Sequence, residues 1–152
     1  MTAPGLRFAF EIEVEVGDPL DFGQTQAGYR RVIPIAGGLV SGPKLRGRVV
    51  PGGADWQILR PDGTGDLDAR YTIQSEGGEL IYVVNRGIRH GPPDVLARLN
   101  RGERVDPASY YFRSAASFET SAPDHAWLTR AVMVGSGERY PDKVVIRFWE
   151  LL

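Results

Sequence analysis

FAFEIEVEV, residues 8–16, alternates strictly between apolar and other side chains. A period of two residues places successive side chains on opposite faces of an extended chain, so this stretch predicts a β-strand with one wet face. The predicted core face carries Phe8, Phe10, Ile12, Val14 and Val16, and the predicted solvent face carries Ala9, Glu11, Glu13 and Glu15. We therefore expect the glutamates outside and the larger apolar side chains in a core.

The same alternation returns along most of the chain. It is found at residues 29–35, 67–74, 79–85, 110–120, 130–135 and 143–152. Segments rich in Gly, Pro and Asp predict turns: GDPLDFG (17–23), PGG (51–53), PDGTGD (61–66), SEGG (75–78) and GSGERYPD (135–142). Two short helices are expected, in PPDVLARLNRG (92–102) and SAPDHAWLTR (121–130). Eight or nine strands joined mostly by short turns describe an antiparallel meander.

A closed barrel and a two-sheet sandwich both suit such a meander. Closure removes the exposed strand edges, and about eight strands leave an interior that is either filled by side chains or holds one small ligand. The first strand is long, and Gly42 and Gly47 would permit sharp coiling of the strands that contain them; both features favour the barrel. We predict a single antiparallel β-barrel domain over residues 1–152, of the allene oxide cyclase or lipocalin kind.

Composition narrows the class of protein. The net charge is -1, with Lys and Arg scattered along the chain, which argues against a nucleic-acid partner. The chain has no cysteine, which removes disulfides and thiolate nucleophiles and is typical of a reducing cytoplasm. It also has no apolar run of roughly 18 residues, which argues against membrane insertion. We expect a cytoplasmic homo-oligomer, a dimer or larger.

Glycine is concentrated in GPKLRGRVVPGGADWQ, residues 42–57. A phosphate-binding loop would need a following helix, whereas the residues that follow have a strand pattern. We interpret the run as two coiled strands around a tight PGG turn. His90 and His125 lie far apart in sequence, so no metal site is expected, and no cofactor motif is present.

After the PGG run, strand parity places Asp55 and Gln57 on one face and Trp56 on the other. In a regular strand either the acid or the indole can face the interior, and both alternatives stay open. A buried acid often has a shifted pKa that suits proton transfer. For Asp68 and Arg70, a surface ion pair competes with a functional role.

Longer blocks carry a family resemblance. The segments 30–63, 67–89 and 111–139 resemble successive blocks of domain of unknown function 3237, also called uncharacterised protein family 0311. The most specific parts are PGGADWQ, LDARY, and YFR followed by FET. The resemblance implies one antiparallel β-barrel, similar to the allene oxide cyclase and dirigent barrels that hold small hydrophobic molecules, and it implies no particular activity.

The matching positions supply the candidate site. Candidate catalytic residues are Asp55 and Glu119 as acid or base, Arg113 as an orienting cation and Tyr111 as a hydrogen-bond donor. Candidate ligand-binding residues are Trp56, Gln57, Asp68, Arg70, Tyr71, Asn85, Phe112 and Phe118. Arg70 and Asn85 are the alternatives for the cation and the donor, and Gly87 also matches the family.

Three functions are compatible with these residues. The first is a cofactor-independent enzyme of the isomerase, cyclase or hydratase/lyase type, acting by acid/base chemistry on a small hydrophobic molecule, aromatic or polyketide-like, held in the barrel. The second is a lipocalin-like carrier of such a ligand. The third is a structural barrel that binds nothing. An acid and a base converging on a cavity would favour the enzyme.

Overall fold

A computed structural model describes all 152 residues. The elements follow in the order β1 (Leu6–Val16), β2 (Leu20–Thr25), β3 (Gly28–Ser41), β4 (Gly47–Leu59), β5 (Gly65–Ser75), β6 (Leu80–His90), α1 (Pro93–Asn100), β7 (Tyr111–Glu119), β8 (Met133–Arg139) and β9 (Lys143–Leu151). Two 3-10 segments, Pro107–Ser109 and Pro123–Thr129, flank β7. Neither α1 nor the longer 3-10 helix is long and apolar enough to cross a membrane.

The sheet closes on itself. Neighbouring strands pair antiparallel in the order β1-β9-β8-β7-β6-β5-β4-β3-β2, and β1 also pairs with the second half of β3. That pairing closes an eight-stranded barrel and leaves β2 as an extra strand on the first half of β3. At the closure, Gly38 has φ +147°, and a Cβ there would collide with the backbone oxygen of Glu13. The predicted antiparallel barrel is confirmed, and the sandwich is excluded.

The first strand departs from its predicted alternation at one point. The β1–β9 register shifts between Phe8 and Phe10, which is a β-bulge. Ala9 consequently points into the core, and Phe8 is only partly buried, with its ring 5.4 Å from that of Trp149. The predicted faces were therefore wrong at these two residues, because the bulge inserts one residue into the pattern. From Phe10 to Val14 the alternation holds.

The PGG segment is not a turn. β4 runs unbroken from Gly47 to Leu59, and its register shifts against both neighbouring strands near residues 51–53. The connection between β3 and β4 is instead formed by residues 42–46. The prediction of two strands around a PGG turn was wrong, because a bulge can accommodate Pro and Gly without ending the strand.

The other four predicted turns also contain strand residues: β5 includes the last two residues of PDGTGD and the first residue of SEGG. β2 covers the end of GDPLDFG, and β8 extends through Gly137 to Arg139, inside GSGERYPD. In β8 the glycines replace inward side chains: a Cβ at Gly137 would lie 2.6 Å from the ring of Phe112. Both predicted helices form, α1 as an α-helix and the second as a 3-10 helix.

The two ends of the barrel are filled differently. We call the half nearest the 3-10 helix Pro123–Thr129 the lower half. Here Phe10, Phe118 and Phe148 pack with ring centroids 5.1 to 6.0 Å apart and leave no room for a ligand. In the upper half α1 buries Val95 and Leu99 against the core. A cavity remains in this upper half.

Candidate functional site

A cavity of about 60 Å³ lies in the upper half of the barrel. Its wall is mostly apolar, with Val14, Ile33, Ile35, Leu67, Phe112 and Ile146 among the lining residues. Seven polar or charged side chains also line it: Asp55, Gln57, Tyr71, Asn85, Arg89, Ser114 and Arg139. An apolar enclosure with a few convergent polar groups is the usual form of a small-molecule site.

Strand β4 contributes the carboxylate. The bulge at residues 51–53 precedes Asp55, and the alternation that follows turns Asp55 and Gln57 inward while Trp56, 47% exposed, faces outward. The alternative left open by the sequence is thereby decided in favour of the acid. The indole belongs to the outer surface of the barrel.

Asp55 is held by two hydrogen bonds. Its Oδ2 accepts from Gln57 Nε2 at 2.8 Å, and its Oδ1 accepts from the backbone N–H of Asp68 at 3.0 Å. Burial nevertheless raises the pKa of this carboxyl above its usual range, against the lowering effect of these two donors and of the Arg89 charge. Desolvation of a carboxylate has this sign because it penalises the charged form. The result is an acid fixed in orientation and suited to exchanging a proton.

Arg89, at the end of β6, is the most deeply buried cation near Asp55. It is 4% exposed, and burial lowers the pKa of its guanidinium to about 10. Its Nη2 donates to Asn100 Oδ1 of α1 at 3.2 Å, while its Nε has no partner. A buried arginine is normally paired with a carboxylate, and this one has none within 4 Å.

Unsatisfied polar atoms concentrate at this cavity. The fold contains six buried side-chain atoms without a hydrogen-bond partner, and five belong to residues that line the cavity: Gln57 Oε1, Tyr71 Oη, Asn85 Oδ1, Arg89 Nε and Ser114 Oγ. Buried polar groups are nearly always hydrogen-bonded, and each exception calls for a reason. Donors and acceptors directed into one cavity are what a polar ligand or ordered water would satisfy.

The predicted site residues divide into three groups. Five line the cavity: Asp55, Gln57, Tyr71, Asn85 and Phe112. Phe118 packs in the lower half instead. The other six do not line the cavity and alternate with inward residues along their strands: Trp56, Asp68, Arg70, Tyr111, Arg113 and Glu119.

The outward residues have surface environments. Arg70 Nε lies 3.3 Å from Asp68 Oδ1, which fits the surface ion-pair interpretation of that motif. On β7, the Arg113 guanidinium lies 5.6 Å from the Tyr111 ring centre, and Tyr111 is 54% exposed. Because β7 turns Phe112 and Ser114 inward, the odd-numbered residues on either side must face out.

Sequence reasoning missed Arg89, Ser114 and Arg139. Arg89 and Arg139 look like charges at the ends of strands, and nothing in their neighbourhoods signals burial. For Ser114 a signal existed, because its position has the same parity as Phe112 and Phe118 in the alternating segment 110–120. No cluster of three or more His, Cys, Asp or Glu side chains that could hold a metal ion is present.

Comparison with known proteins assigns the family. The model of the protein family of unknown function DUF3237 matches residues 4–151. The chain belongs to this family. A UPF0311 protein from Rhodopseudomonas palustris is 43% identical over 146 residues, which cover 96% of this chain and 95% of the relative. A UPF0311 protein from Clostridium acetobutylicum is 41% identical over 143 residues, which cover 93% of this chain and 90% of the relative. The predicted family is confirmed.

Solved structures support the fold. The conserved protein of unknown function from R. palustris has a TM-score of 0.94 at 40% identity, covering 100% of this chain and 99% of that one. A β-barrel-like protein from Acinetobacter baumannii has a TM-score of 0.84 at 37% identity, covering 99% of both chains.

A more distant relative has a described activity. The hydroalkoxylation enzyme phnH from Penicillium herquei is 25% identical over 150 residues, which cover 99% of this chain and 85% of the relative. This DUF3237 chain is therefore distantly homologous to an enzyme.

Proposed function

We propose that this DUF3237 protein is a cofactor-independent acid/base enzyme acting on a small hydrophobic molecule held in the upper cavity. The reaction class we favour is addition of an O–H group across an activated double bond, or the reverse elimination. One observation carries the proposal: a fixed carboxyl with a raised pKa, Asp55, faces a mostly apolar cavity in which five polar atoms have no partner.

The chemistry needs a base, an oxyanion partner and an enclosed space. Asp55 in its ionised form takes the proton from the ligand hydroxyl as the oxygen attacks the double bond. The C–O bond forms, the π bond breaks, and the electrons move onto the conjugated carbonyl as an enolate. The protonated Asp55 then returns the proton to the enolate carbon, so that the net change is addition of O–H.

Two kinds of group would stabilise the enolate. The hydroxyl of Tyr71 has no partner at the cavity and can donate to a developing oxyanion. The unpartnered atom of Asn85 is its Oδ1, which can only accept, for example from the ligand hydroxyl. The guanidinium of Arg89, whose charge is felt at Asp55, adds a positive potential in a site from which water is largely removed. Relationship to a hydroalkoxylation enzyme makes this reaction class the first to test.

Intramolecular ring closure provides the assay. We would follow two probes, 7-hydroxyhept-3-en-2-one and 2′-hydroxychalcone, which close a C–O bond onto an enone, by loss of enone absorbance. Wild-type protein should accelerate closure of at least one probe, and Asp55→Asn should lower the rate by about 10² to 10⁴. Asp124→Asn, the same change at an exposed aspartate, should have no effect. Equal rates for wild type and Asp55→Asn would contradict the proposed role.

A carrier function is the second candidate, favoured by the apolar wall of the cavity. A carrier would bind the probes or their products with the same affinity before and after Asp55→Asn and would not accelerate closure. Equilibrium binding measured beside the rate therefore separates the two functions.

A further inference from the structure

Arginines concentrate at the mouth of the barrel, where the acids Asp18 and Asp142 also lie. Beside the upper cavity, a surface depression of about 470 Å³ is lined by the β1–β2 and β8–β9 connections and the end of α1. Val16 and Arg139 line both spaces, and Arg31 lines the depression. Arg139 thus stands between the cavity and the outside of the barrel. We call Arg31, Arg89 and Arg139 the mouth arginines.

None of the mouth arginines has a carboxylate within 4 Å. Arg31 Nη2 donates to the backbone oxygen of Asn100 at 3.0 Å, and Arg139 Nη1 donates to that of Tyr140 at 2.9 Å. Their hydrogen-bond partners in the protein are therefore neutral oxygens, and Arg89 Nε has none.

The three cations also act on one another. Arg31 and Arg139 both lower the pKa of Arg89, and Arg31 lowers that of Arg139, as like charges do. Arg139 is 7% exposed and Arg89 is 4% exposed, so water screens them poorly. In the opposite sense, the charge of Asp55 reaches both, and Asp142 reaches Arg139. Burying arginines together without a bonded carboxylate is costly unless an anion completes the site.

We infer that the natural ligand is an organic anion, with an ionised carboxylate or phenolate oxygen on an apolar body, and that Arg139 with its two neighbours binds this oxygen at the mouth. The inference rests on the proposed function and names its substrate class. The apolar, reacting part of the ligand then extends toward Asp55, so that the two negative groups lie at opposite ends of the ligand.

Cavity size agrees with this orientation. A volume of about 60 Å³ corresponds to only about two waters at the roughly 30 Å³ that each occupies in the liquid. A ligand larger than a few heavy atoms must therefore leave part of itself in the depression, where Arg31 and Arg139 lie. Placing the charged end of the ligand at the mouth and its apolar end in the cavity costs less desolvation free energy than the reverse orientation.

Acid and neutral probes of nearly the same shape test the charge requirement. Calorimetric titration would compare benzoate with benzamide for the carboxylate, and 4-nitrophenol in its ionised and neutral forms for the phenolate. We expect the charged member of at least one pair to bind about 10-fold or more tightly than the neutral one, as a charge-assisted hydrogen bond of about 1.5 to 3 kcal/mol implies. Equal binding within both pairs, or no binding of any probe, would overturn the inference.

Variants locate the effect. Arg139→Gln should weaken binding of the charged probe about 10-fold and change that of the neutral probe less than about two-fold. Arg130→Gln removes the same charge from an exposed position and serves as the control. If Arg139→Gln does not fold, as judged by circular dichroism, Arg31→Gln tests the same site at its partly exposed edge. Equal effects of the mouth and control variants would refute the assignment.

The two proposals fail separately. If the protein prefers charged probes but does not accelerate ring closure, the anion site is supported and the enzymatic function is refuted. If ring closure depends on Asp55 but the charged probes bind no better than the neutral ones, the enzymatic function is supported and the anion site is refuted.

Discussion

Two buried tyrosines should respond in opposite ways to loss of the hydroxyl. Tyr71 is 4% exposed, and its hydroxyl faces the cavity without a partner. Tyr110 is 8% exposed, and its hydroxyl accepts from the backbone N–H of Arg139 at 2.8 Å. The same substitution, Tyr→Phe, therefore removes an unsatisfied group at one site and a satisfied one at the other.

The magnitudes follow from the cost of burying a polar group. An unpartnered buried hydroxyl costs about 1 to 3 kcal/mol on protein mutational scales, so Tyr71→Phe should raise the free energy of unfolding by up to that amount. Tyr110→Phe leaves a buried N–H unpaired and should lower it by about 1 to 3 kcal/mol. In a chain of this length each kcal/mol corresponds to about 2 to 4 °C in Tm.

Urea unfolding and thermal melts of the two variants, run beside wild type, provide the measurement. Tyr71→Phe should be more stable than wild type and should also lose affinity for ligands that hydrogen-bond to the hydroxyl. If both variants lose stability by similar amounts, the Tyr71 hydroxyl has a partner inside the protein. The account of the cavity as a set of unsatisfied polar groups would then fail.

Other perturbations test the remaining features. The pKa of the Asp55 carboxyl is higher in the folded state than in the unfolded chain, so folding favours its protonated form. This carboxyl therefore stabilises the fold below about pH 4, and the stabilisation is lost as pH rises through the folded pKa. Urea unfolding from about pH 4 to 8 should show this loss in wild type and not in Asp55→Asn. Gly137→Ala forces a Cβ against the ring of Phe112 and should cost about 1 to 3 kcal/mol in the same assay. Phe148→Ala opens the lower half and should cost about 3 to 5 kcal/mol, seen as a lower Tm. Arg113 lies on the outer face, so Arg113→Gln should leave the probe affinity measured by calorimetry unchanged. A tenfold loss of affinity would show that Arg113 contributes to the binding site.

Alternation was sufficient for much of the site because several strands keep a regular period of two. On β5 it placed Leu67, Ala69 and Tyr71 on one face, and all three line the cavity. On β4 it linked Asp55 to Gln57 and opposed both to Trp56. Such a pattern relates the residues of one strand to each other and leaves the choice of inner face open where both faces carry polar and aromatic groups.

On β7 that choice decided which candidates reach the cavity. The even-numbered face of the segment carries Phe112, Ala116 and Phe118 and is the more apolar one, but the candidate residues lie on both faces. The pairing of β7 with β6 and β8 turns Phe112 and Ser114 inward. Bulges are a second source of error. In β1 one extra residue puts Ala9 in the core in place of Phe8, and at residues 51–53 two extra residues of β4 relative to β5 resemble a turn within a continuous strand.

By itself the sequence determined most of the strands and their antiparallel order and favoured the barrel over the sandwich, because hydrophobic periodicity and turn residues reflect interactions between residues close together in the chain. The tertiary structure alone decided that Arg89 and Arg139, far apart in the chain, meet at one mouth beside Asp55. It also decided that the Phe10 cluster fills one half and leaves the other open. Charges that look solvated along a chain are buried or exposed according to which strands close the barrel, and closure depends on pairings between β1, β3 and β9 that no local pattern encodes.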